Sequence, residues 1–512
     1  MAVLVLNFGS QYAHLIARRV RELGVYSEII AHDSTAEQRM EKNPQAIILS
    51  GGPSSVYEQD APSCDPQIFA LGVPVLGICY GHQLMAHLLG GSVEGGHKKE
   101  FGKAVLRVDG APTPLFHSLQ EIEPVWFSHG DEVKKLPQGF ERTASTETCN
   151  VAAMADEKRK LYGIQFHPEV AHTPCGNKVL SNFLFNIANI EPDWRVDKDI
   201  EQKVAQLRSQ VGEEKVMIGV SGGIDSLVAA TLLHKSIGSK LYCVFIDHGL
   251  LRKNEATQVL ALLNKQGFAN VHFVDASKEF LSALSGVTDP EEKRKIIGHK
   301  FIEVFEAAAL HLGESEHIRF LAQGTIYPDR IESGQPSKQA AKIKSHHNLT
   351  LPEKMNFQVL EPLADYYKDE VRSLGRALGL TPEEVGRHPF PGPGLAIRIL
   401  GEITEERLRI LREADAIFIE ELQRSNFYDK VGQAFAALLP VKSVGVMGDA
   451  RTYDYIISLR SVDTTDFMTA DWSKLPHELL EKVASRIVNE VRGCNRVVYD
   501  VTQKPPGTIE YE

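Results

Sequence analysis

Short apolar runs alternate with longer amphipathic stretches over the first third of the chain. Residues 3–6, 46–50 and 74–78 are almost continuously apolar, as buried parallel strands are, whereas residues 11–23 repeat their apolar positions with the period of a helix. Repeated strand–loop–helix units predict a mostly parallel sheet that helices cover on both faces. Several shorter strands between residues 103 and 166 predict an antiparallel extension of this sheet.

The same alternation resumes after a polar segment at residues 191–198, which is typical of a linker. Strands at residues 216–220, 241–246, 271–274 and 318–322, separated by helical stretches, predict a second doubly wound sheet. Two separate α/β domains are therefore expected.

The proline- and glycine-rich run at residues 388–394 interrupts regular structure. Beyond it, helices at residues 405–424 and 475–492 and strands that include residues 439–447 predict a smaller domain. We therefore predict an α/β protein with two doubly wound domains of mostly parallel strands and a smaller C-terminal α+β domain. The predicted boundaries are residues 1–190, 200–390 and 391–512.

Composition and charge disfavour several classes of protein. A chain of 512 residues is longer than one hydrophobic core usually supports, which agrees with several domains. The net charge of −11 disfavours a nucleic-acid partner, and no stretch approaches the about 18 apolar residues of a membrane span. The first residues read as a strand and not as a signal peptide. Six cysteines without a Cys-x-x-Cys pair indicate free thiols in a reducing compartment, the cytoplasm.

A candidate nucleophile lies in Gly77-Ile78-Cys79-Tyr80-Gly81, where small residues flank a cysteine between a predicted strand and a helix. The turn of such an elbow leaves no room for a Cβ at the flanking positions, and the helix N-terminus favours the reactive thiolate. A nucleophile needs a base and a group that orients the base, and His167 and Glu169 would supply both. The alternative is a packed thiol and a loop histidine. The elbow together with the His-Pro-Glu run favours the catalytic interpretation.

A second candidate site is the segment Ser221-Gly222-Gly223-Ile224-Asp225-Ser226, here called the phosphate loop, between a predicted strand and a helix. Backbone N–H groups at such a position can hold phosphate with the help of the helix dipole. The segment lacks the lysine that reaches the β- and γ-phosphates in a G-x-x-x-x-G-K-[ST] loop, so cleavage between the α- and β-phosphates of ATP suits it better. Asp225 is the expected Mg²⁺ ligand. The alternative is a serine-capped helix start.

The segments SGGPSSVY, GICYGHQL and FHPE make the first 190 residues resemble the class I, triad-type glutamine amidotransferases. The resemblance implies a glutamyl thioester on Cys79 that water hydrolyses, releasing ammonia. The N–H groups of Gly52 and Tyr80 would stabilise its oxyanion. The residues that fall where such domains hold glutamine are Gln83, Ser128 and His129.

The phosphate loop resembles that of the N-type ATP pyrophosphatases, which adenylate a substrate and release pyrophosphate. Over essentially the whole chain, segments that include QGTIYPDRIES, KSHHN, RHPFPGPGLAIR and KPPGTIE resemble the GMP synthetase family, whose glutamine-hydrolysing members convert XMP to GMP. The resemblance implies glutamine, ATP and XMP as substrates, Mg²⁺ as cofactor and a homodimer formed through the C-terminal domain. It assigns adenylation or a closing lid to Asp329, Glu332, Lys344, His346 and His347.

The acceptor nucleotide carries a dianionic phosphate, which arginine binds well because its planar fork matches the phosphate oxygens. The C2 oxygen of XMP is a poor leaving group until AMP is transferred to it, after which ammonia can displace it. The residues expected to bind XMP, from their charge and from the resemblance of the KPPGTIE segment, are Arg294, Arg398, Arg451, Lys504, Thr508 and Glu510. Residues 348–352 depart from the glycine-containing run usual in the family's lid.

Three other functions are compatible with parts of this pattern. Another amide-forming ligase of this ATP-using class would carry a different acceptor, such as deamido-NAD, but the KPPGTIE and RHPFPGPG runs disfavour it. A nucleotide-sensing protein with an inactive thiol site is disfavoured by the complete set Cys79, His167 and Glu169. A tRNA-thiolating enzyme is disfavoured by the lack of Cys-x-x-Cys pairs and by the acidic charge.

Overall fold

The computed structural model describes residues 2–10, 12–109, 113–198, 200–334, 357–447, 450–464, 467 and 469–512, with the backbone alone for residues 96–99, 332–334 and 447. The chain divides into two compact units, Met1–Arg195 and Val196–Glu512. None of the described helices is long and apolar enough to cross a membrane. The boundaries expected at residues 190, 200 and 390 remain predictions.

Within its described residues, the first unit has nine strands and four α-helices. The strands are β1 (Ala2–Asn7), β2 (Ser27–Ala31), β3 (Pro44–Leu49), β4 (Val75–Ile78), β5 (Ser92–Val108), β6 (Ile122–Lys135), β7 (Glu141–Ser145), β8 (Ala153–Asp156) and β9 (Leu161–Ile164). The helices are α1 (Tyr12–Glu22), α2 (Ala36–Glu41), α3 (Tyr80–Leu88) and α4 (Gly176–Ser181), which a π-helix at Asn182–Ile187 continues.

These nine strands form one sheet in the order β2-β1-β3-β4-β9-β8-β7-β5-β6. The pairs from β2 to β9 are parallel, and the pairs from β9 to β6 are antiparallel, which confirms the predicted extension. Every residue of β1, β4 and β9 is buried, as expected for strands covered on both faces. Because β1 lies between β2 and β3, the order of the parallel strands reverses there, and the carboxyl ends of neighbouring strands open a crevice.

The second unit contains two sheets in the part of the chain that the structure describes. The strands of the first sheet are β10 (Lys215–Gly219), β11 (Leu241–Asp247), β12 (Asn270–Asp275), β13 (Ile318–Ala322) and β14 (Gln358–Leu360), and those of the second are β15 (Gln433–Met447), β16 (Ala450–Asp463), β17 (Asp471–Trp472) and β18 (Cys494–Tyr499). The helices are α5 (Ile200–Val211), α6 (Ile224–Ile237), α7 (Glu255–Lys265), α8 (Ser277–Ala283), α9 (Pro290–Glu316), α10 (Tyr327–Gly334), α11 (Lys368–Ala377), α12 (Pro382–Val385), α13 (Glu405–Arg424) and α14 (His477–Glu490).

The five-stranded sheet is entirely parallel, with the order β12-β11-β10-β13-β14. The chain leaves β10 toward β11 and later returns to β13 on the other side of β10. This reversal puts the phosphate loop, which follows β10, at the position where doubly wound sheets bind ligands. The prediction of two doubly wound sheets is confirmed.

The second sheet is a long antiparallel hairpin of β15 and β16, to which β18 adds in parallel. The predicted strand at residues 439–447 in fact begins at Gln433. Residues 434–438 are buried throughout, so they lack the polar alternation by which a half-exposed strand is recognised. One hydrophobic core joins side chains of both sheets and of α13, for example Leu321, Phe418 and Leu459.

Candidate active sites

Cys79 occupies the turn between β4 and α3 in a strained backbone conformation, with φ 53° and ψ −106°. The neighbouring glycines are required by close packing of the backbone. A Cβ on Gly77 would lie 2.5 Å from the carbonyl oxygen of Gly81, and a Cβ on Gly81 would lie 2.4 Å from the carbonyl oxygen of Leu49. The strand–turn–helix geometry expected of an elbow is therefore present around the thiol.

His167 and Glu169 follow β9 and lie beside Cys79. The Nδ1–H of His167 donates to Oε1 of Glu169 across 2.7 Å, and both side chains are buried. Burial by itself lowers the pKa of His167, but the Glu169 carboxylate and the hydrogen-bonded Cys79 raise this pKa well above its ordinary value of 6.5. The structure thus brings a thiol, an imidazole and a carboxylate together in the order that nucleophilic catalysis needs.

Contacts with distant segments hold the His167 ring in place. The N–H of His167 donates to the carbonyl oxygen of Trp126 on β6 across 3.0 Å. The Thr173 hydroxyl donates to the carbonyl oxygen of His167 (2.7 Å) and accepts from the N–H of Trp126 (3.0 Å). The Tyr12 ring packs on the imidazole with the ring centroids 4.9 Å apart. Sequence reasoning missed Thr173, Trp126 and Tyr12, because nothing local marks a residue that acts through a partner far along the chain.

Gly51 and Gly52, which follow β3, lie beside the thiol site. A Cβ on Gly51 would lie 3.3 Å from the His167 ring and 3.8 Å from the Cys79 Cβ. Neither the N–H of Gly52 nor that of Tyr80 donates to a partner within the described residues. Two free donors beside a thiol are what an oxyanion site requires.

The three residues predicted to hold glutamine lie on α3 and β6. The carbonyl oxygen of Ser128 is 3.7 Å from the Cys79 Sγ. The Gln83 amide donates to the carbonyl oxygen of Asp131 (2.8 Å) and to the Gln165 side chain (3.1 Å). His129 contacts the Glu100 carboxylate (2.9 Å) through Nε2 and the same Asp131 carbonyl oxygen (2.8 Å) through Nδ1. Ser128 therefore contacts the thiol through its backbone. Gln83 and His129 are buried, and their side chains are engaged in hydrogen bonds with neighbouring residues of the protein.

The phosphate loop of the second unit is held by its own serines. The hydroxyl of Ser226 accepts from the N–H of Ser221 (3.2 Å) and donates to the carbonyl oxygen of Gly223 (3.0 Å). Gly222 has φ 79°, and a Cβ there would lie 2.9 Å from Val259. Helix α6 begins at Ile224, inside this segment, without a side-chain cap, so its first N–H groups can hold an anion.

A cavity of about 1510 Å³ lies beside the phosphate loop within the second unit. Lys368, at the start of α11, lines this cavity and forms an ion pair with Oδ2 of Asp225. The Oδ1 atom of Asp225 is buried and has no hydrogen-bond partner among the described residues. Sequence reasoning missed Lys368 and the nearby Arg372, although their i, i+4 spacing at a helix start places both on one helix face.

The predicted adenylation and lid residues are only partly described. Asp329 lines the cavity, and its carboxylate accepts from the N–H of Ile326 across 3.1 Å. Glu332 lies in α10, but its side chain is outside the described residues. The remaining lid residues, Lys344, His346 and His347, and the departure at residues 348–352 also lie outside them.

Two of the six residues predicted to bind XMP pair with each other. Arg398 is fully buried and donates through Nε (3.0 Å) and Nη2 (2.8 Å) to the Glu510 carboxylate, which also accepts from the Gln433 amide (2.8 Å). Arg294 lines the cavity and donates to the backbone carbonyl oxygen of Glu512. Of the six, Arg294 is the one found among the residues that line the described part of this cavity.

The other three predicted XMP residues lie elsewhere in the second unit. The Lys504 ammonium donates to the carbonyl oxygen of Phe467 across 2.7 Å. The Thr508 carbonyl oxygen accepts from Arg460 across 3.1 Å. Arg451 is exposed at the free end of the β15–β16 hairpin. Within the described part of the chain, these three residues are therefore not among those that line the cavity.

Comparison with known proteins accounts for nearly the whole chain. The class I glutamine amidotransferase family matches residues 4–187, the PP-loop domain family matches residues 196–273, and the GMP synthase C-terminal domain family matches residues 420–511. The glutamine-hydrolysing GMP synthase of Carboxydothermus hydrogenoformans is 56% identical over 511 residues, which cover 100% of this chain and 99% of the relative. The chain belongs to the glutamine-hydrolysing GMP synthase family. The GMP synthases of Clostridium novyi and Azoarcus sp. are each 55% identical, over 511 and 520 residues, with the same coverage.

Membership in the GMP synthase family makes the chain an ATP-dependent ligase that takes its nitrogen from glutamine. The amidotransferase match lies within the unit that contains Cys79, and the PP-loop match includes the phosphate loop. The family-level interpretation of both motifs is confirmed. The roles of individual residues remain predictions.

Proposed function

We propose that the chain makes GMP in three linked steps. Glutamine and water give glutamate and ammonia at the first unit, and ATP and XMP give adenyl-XMP and pyrophosphate at the second. Ammonia then displaces AMP from adenyl-XMP and gives GMP. The observation that carries the proposal is the similarity of the full chain to GMP synthases. The chain also contains both a thiol–imidazole–carboxylate set and a phosphate loop.

At the first site, the Cys79 sulfur attacks the side-chain carbonyl carbon of glutamine, and His167 takes the thiol proton. The N–H groups of Gly52 and Tyr80 hold the oxyanion of the tetrahedral intermediate. His167 returns the proton to the leaving ammonia, and a thioester remains. His167 next takes a proton from a water molecule, whose oxygen attacks the thioester carbon. The C–S bond breaks, glutamate leaves, and His167 returns the proton to the Cys79 sulfur. Glu169 keeps the imidazole oriented and stabilises its cation, a role supported by the buried 2.7 Å contact.

At the second site, the N–H groups at the start of α6 hold the β- and γ-phosphates of ATP. The C2 oxygen of XMP attacks the α-phosphorus, the bond to the β-phosphate oxygen breaks, and pyrophosphate leaves. Lys368 lines the same cavity and supplies positive charge toward this leaving group. Asp225 suits a Mg²⁺ ion, because one of its oxygens is buried without a partner in the described chain. Bound Mg²⁺ would neutralise charge on the phosphates.

The acceptor nucleotide is assigned to Arg294 at the cavity and, from the family resemblance alone, to the segment that contains Lys504, Thr508 and Glu510, which does not line the described part of the cavity. The Arg398 side chain is buried against Glu510, which supports a role in holding that segment. Arg451 and the lid residues are retained from the family resemblance alone. In the resulting adenyl-XMP, the oxygen at C2 leaves with AMP when ammonia attacks, so no further activation is needed.

The proposal includes a homodimer formed through the C-terminal region. Val444, Val446 and Tyr453, near the free end of the β15–β16 hairpin, are 51%, 73% and 60% exposed. Apolar side chains in such positions are costly in water, and the same surface of a second copy could cover them. We also assign the protein to the cytoplasm, which is supported by six cysteines that are all unpaired.

One reaction series tests the proposal. Purified protein with ATP, Mg²⁺, XMP and glutamine should give GMP, AMP and pyrophosphate, and all three should disappear without XMP. A Cys79→Ala variant should lose synthesis from glutamine and keep synthesis from ammonium. Formation of ADP and phosphate, or no GMP from either nitrogen source, would refute the assignment. We further expect slow glutamine hydrolysis until ATP and XMP are bound, and equal rates with and without them would contradict that coupling.

A further inference from the structure

Lys293 is a fully buried lysine in the first turn of α9. Its ammonium donates to the carbonyl oxygens of Ala396 (3.2 Å) and Ile399 (2.7 Å) and forms an ion pair with the Glu512 carboxylate. A buried ammonium is stable only with a counter-charge and hydrogen bonds. Glu512 supplies the carboxylate in direct contact, so the position of each residue depends on the other.

Glu512 is held at both its side chain and its backbone. Its second carboxylate oxygen accepts from the N–H of Gly401 across 3.0 Å, and its backbone carbonyl oxygen accepts from Nη2 of Arg294. The side chain of Glu512 is 8% exposed. The ion pair thus fixes the carbonyl group to which the neighbouring arginine is anchored.

Arg294 connects the Lys293–Glu512 ion pair to the cavity. Its side chain is 30% exposed and lines the space beside the phosphate loop. One amino group, Nη2, is occupied by the Glu512 carbonyl oxygen, and Nε lies 3.8 Å from the Glu291 carboxylate, so the other amino group is the one that can bind an anionic group. An arginine anchored at one edge loses less conformational freedom on binding phosphate than an unanchored one.

We propose that Lys293 and Glu512 are positioning residues for the acceptor nucleotide, which act by holding Arg294 in the orientation that binds an anionic group of that nucleotide. The inference rests on the proposed function, because it takes XMP as the acceptor. It assigns neither residue a contact with the reacting atoms.

The test measures GMP synthesis from ammonium, which bypasses the Cys79 site, while XMP and ATP are titrated separately. Glu512→Gln and Lys293→Met should each raise the KM for XMP about tenfold, equivalent to about 1.4 kcal/mol, and leave kcat and the KM for ATP within about twofold. Glu316→Gln is the matched control, because it removes the 2.9 Å Lys215–Glu316 pair at the other end of the same helix. This control should leave both KM values unchanged.

A double-mutant cycle decides whether Glu512 acts through Arg294. In an Arg294→Ala background, adding Glu512→Gln should raise the KM for XMP no further. Additive increases, equal increases in both KM values, or no effect of the single variants would overturn the proposal. If a single variant does not fold, Lys293→Met combined with Glu512→Gln removes both charges at once and should fold, with an XMP-specific rise in KM. A wild-type protein that makes no GMP from XMP would instead refute the proposed function, and this inference with it.

Discussion

A single methyl group at position 81 should separate the two activities of the protein. In Gly81→Ala, the added Cβ would lie 2.4 Å from the carbonyl oxygen of Leu49 and 2.6 Å from its Cβ. Both contacts are with the end of strand β3, which is buried within the sheet and cannot rotate away. The N–H of Gly81 also donates to the carbonyl oxygen of Ser50 across 3.1 Å, which binds the helix start to the same strand.

The size of the effect follows from these distances. Ordinary contact with a Cβ begins near 3.4 Å, so the start of α3 must move by about 1 Å to accept the methyl group. Cys79 lies two residues before Gly81 and would move with the turn, which would change its position relative to His167. A misplacement of about 1 Å can cost about 100-fold in rate, whereas overpacking costs about 1–3 kcal/mol of stability. The variant should therefore fold and lose most of its glutamine chemistry.

The assay compares GMP synthesis from glutamine with synthesis from ammonium in the same preparation. Synthesis from glutamine should fall about 100-fold, and synthesis from ammonium should stay within about twofold of the wild type. Gly95→Ala is the control, since its Cβ would meet none of the described side chains closer than 3.9 Å. Glutamine-driven synthesis by Gly81→Ala within about threefold of wild type would refute the argument that backbone packing places the thiol.

Three further predictions concern other parts of the protein. Glu169→Gln should lower the pKa of His167, which Glu169 and Cys79 raise in the wild type despite burial. The basic limb of the glutaminase pH–rate profile, where His167 loses the proton that it gives to the leaving ammonia, should then move to lower pH, with activity down about 100-fold. An unmoved limb would contradict the assigned role. Lys368→Met should reduce synthesis from either nitrogen source about 100-fold and leave alkylation of Cys79 by a glutamine-like electrophile unchanged, whereas a small effect on synthesis would exclude Lys368 from the ATP site. Val446→Asp should convert a dimer to monomers in sedimentation velocity. The control Val105→Asp, at a 54% exposed position of the first unit, should leave the dimer intact. A dimer that persists in Val446→Asp would place the interface elsewhere.

The thiol site could be predicted because its requirements are local. Gly77, Cys79 and Gly81 lie within five consecutive residues, and the clash that excludes a Cβ arises wherever a strand turns this sharply into a helix. His167 and Glu169 were also recognisable, since they are adjacent and follow a strand. The phosphate loop could also be predicted, because its glycines and serines form hydrogen bonds with one another.

The supporting residues could not be predicted in this way. Thr173 acts on His167 by bridging it to Trp126, 47 residues earlier in the chain. Lys368 meets Asp225 across 143 residues. Contacts at such separations depend on how the helices and strands pack, and a lysine or threonine in a loop or helix start carries no mark of its partner.

The acceptor residues show the same division. Their charge made Arg398 and Glu510 candidates to bind a nucleotide, but the fold buries them against each other, 112 residues apart. Residues 434–438 resemble a core segment of either helix or strand type, and only their pairing with β16 makes them a strand.

The sequence by itself determined the two doubly wound sheets, the elbow at Cys79, the phosphate loop at residues 221–226 and the family. These features rest on periodicity, on glycine geometry and on short runs of residues that interact within a few positions. Only the tertiary structure decided that Lys368 pairs with Asp225, that Arg398 pairs with Glu510, and that Glu512 contacts both Lys293 and Arg294. The physical reason is that the energy of a buried charge depends on which partner the fold brings within hydrogen-bond distance, and the chain encodes that partner through its global packing and not through any local pattern.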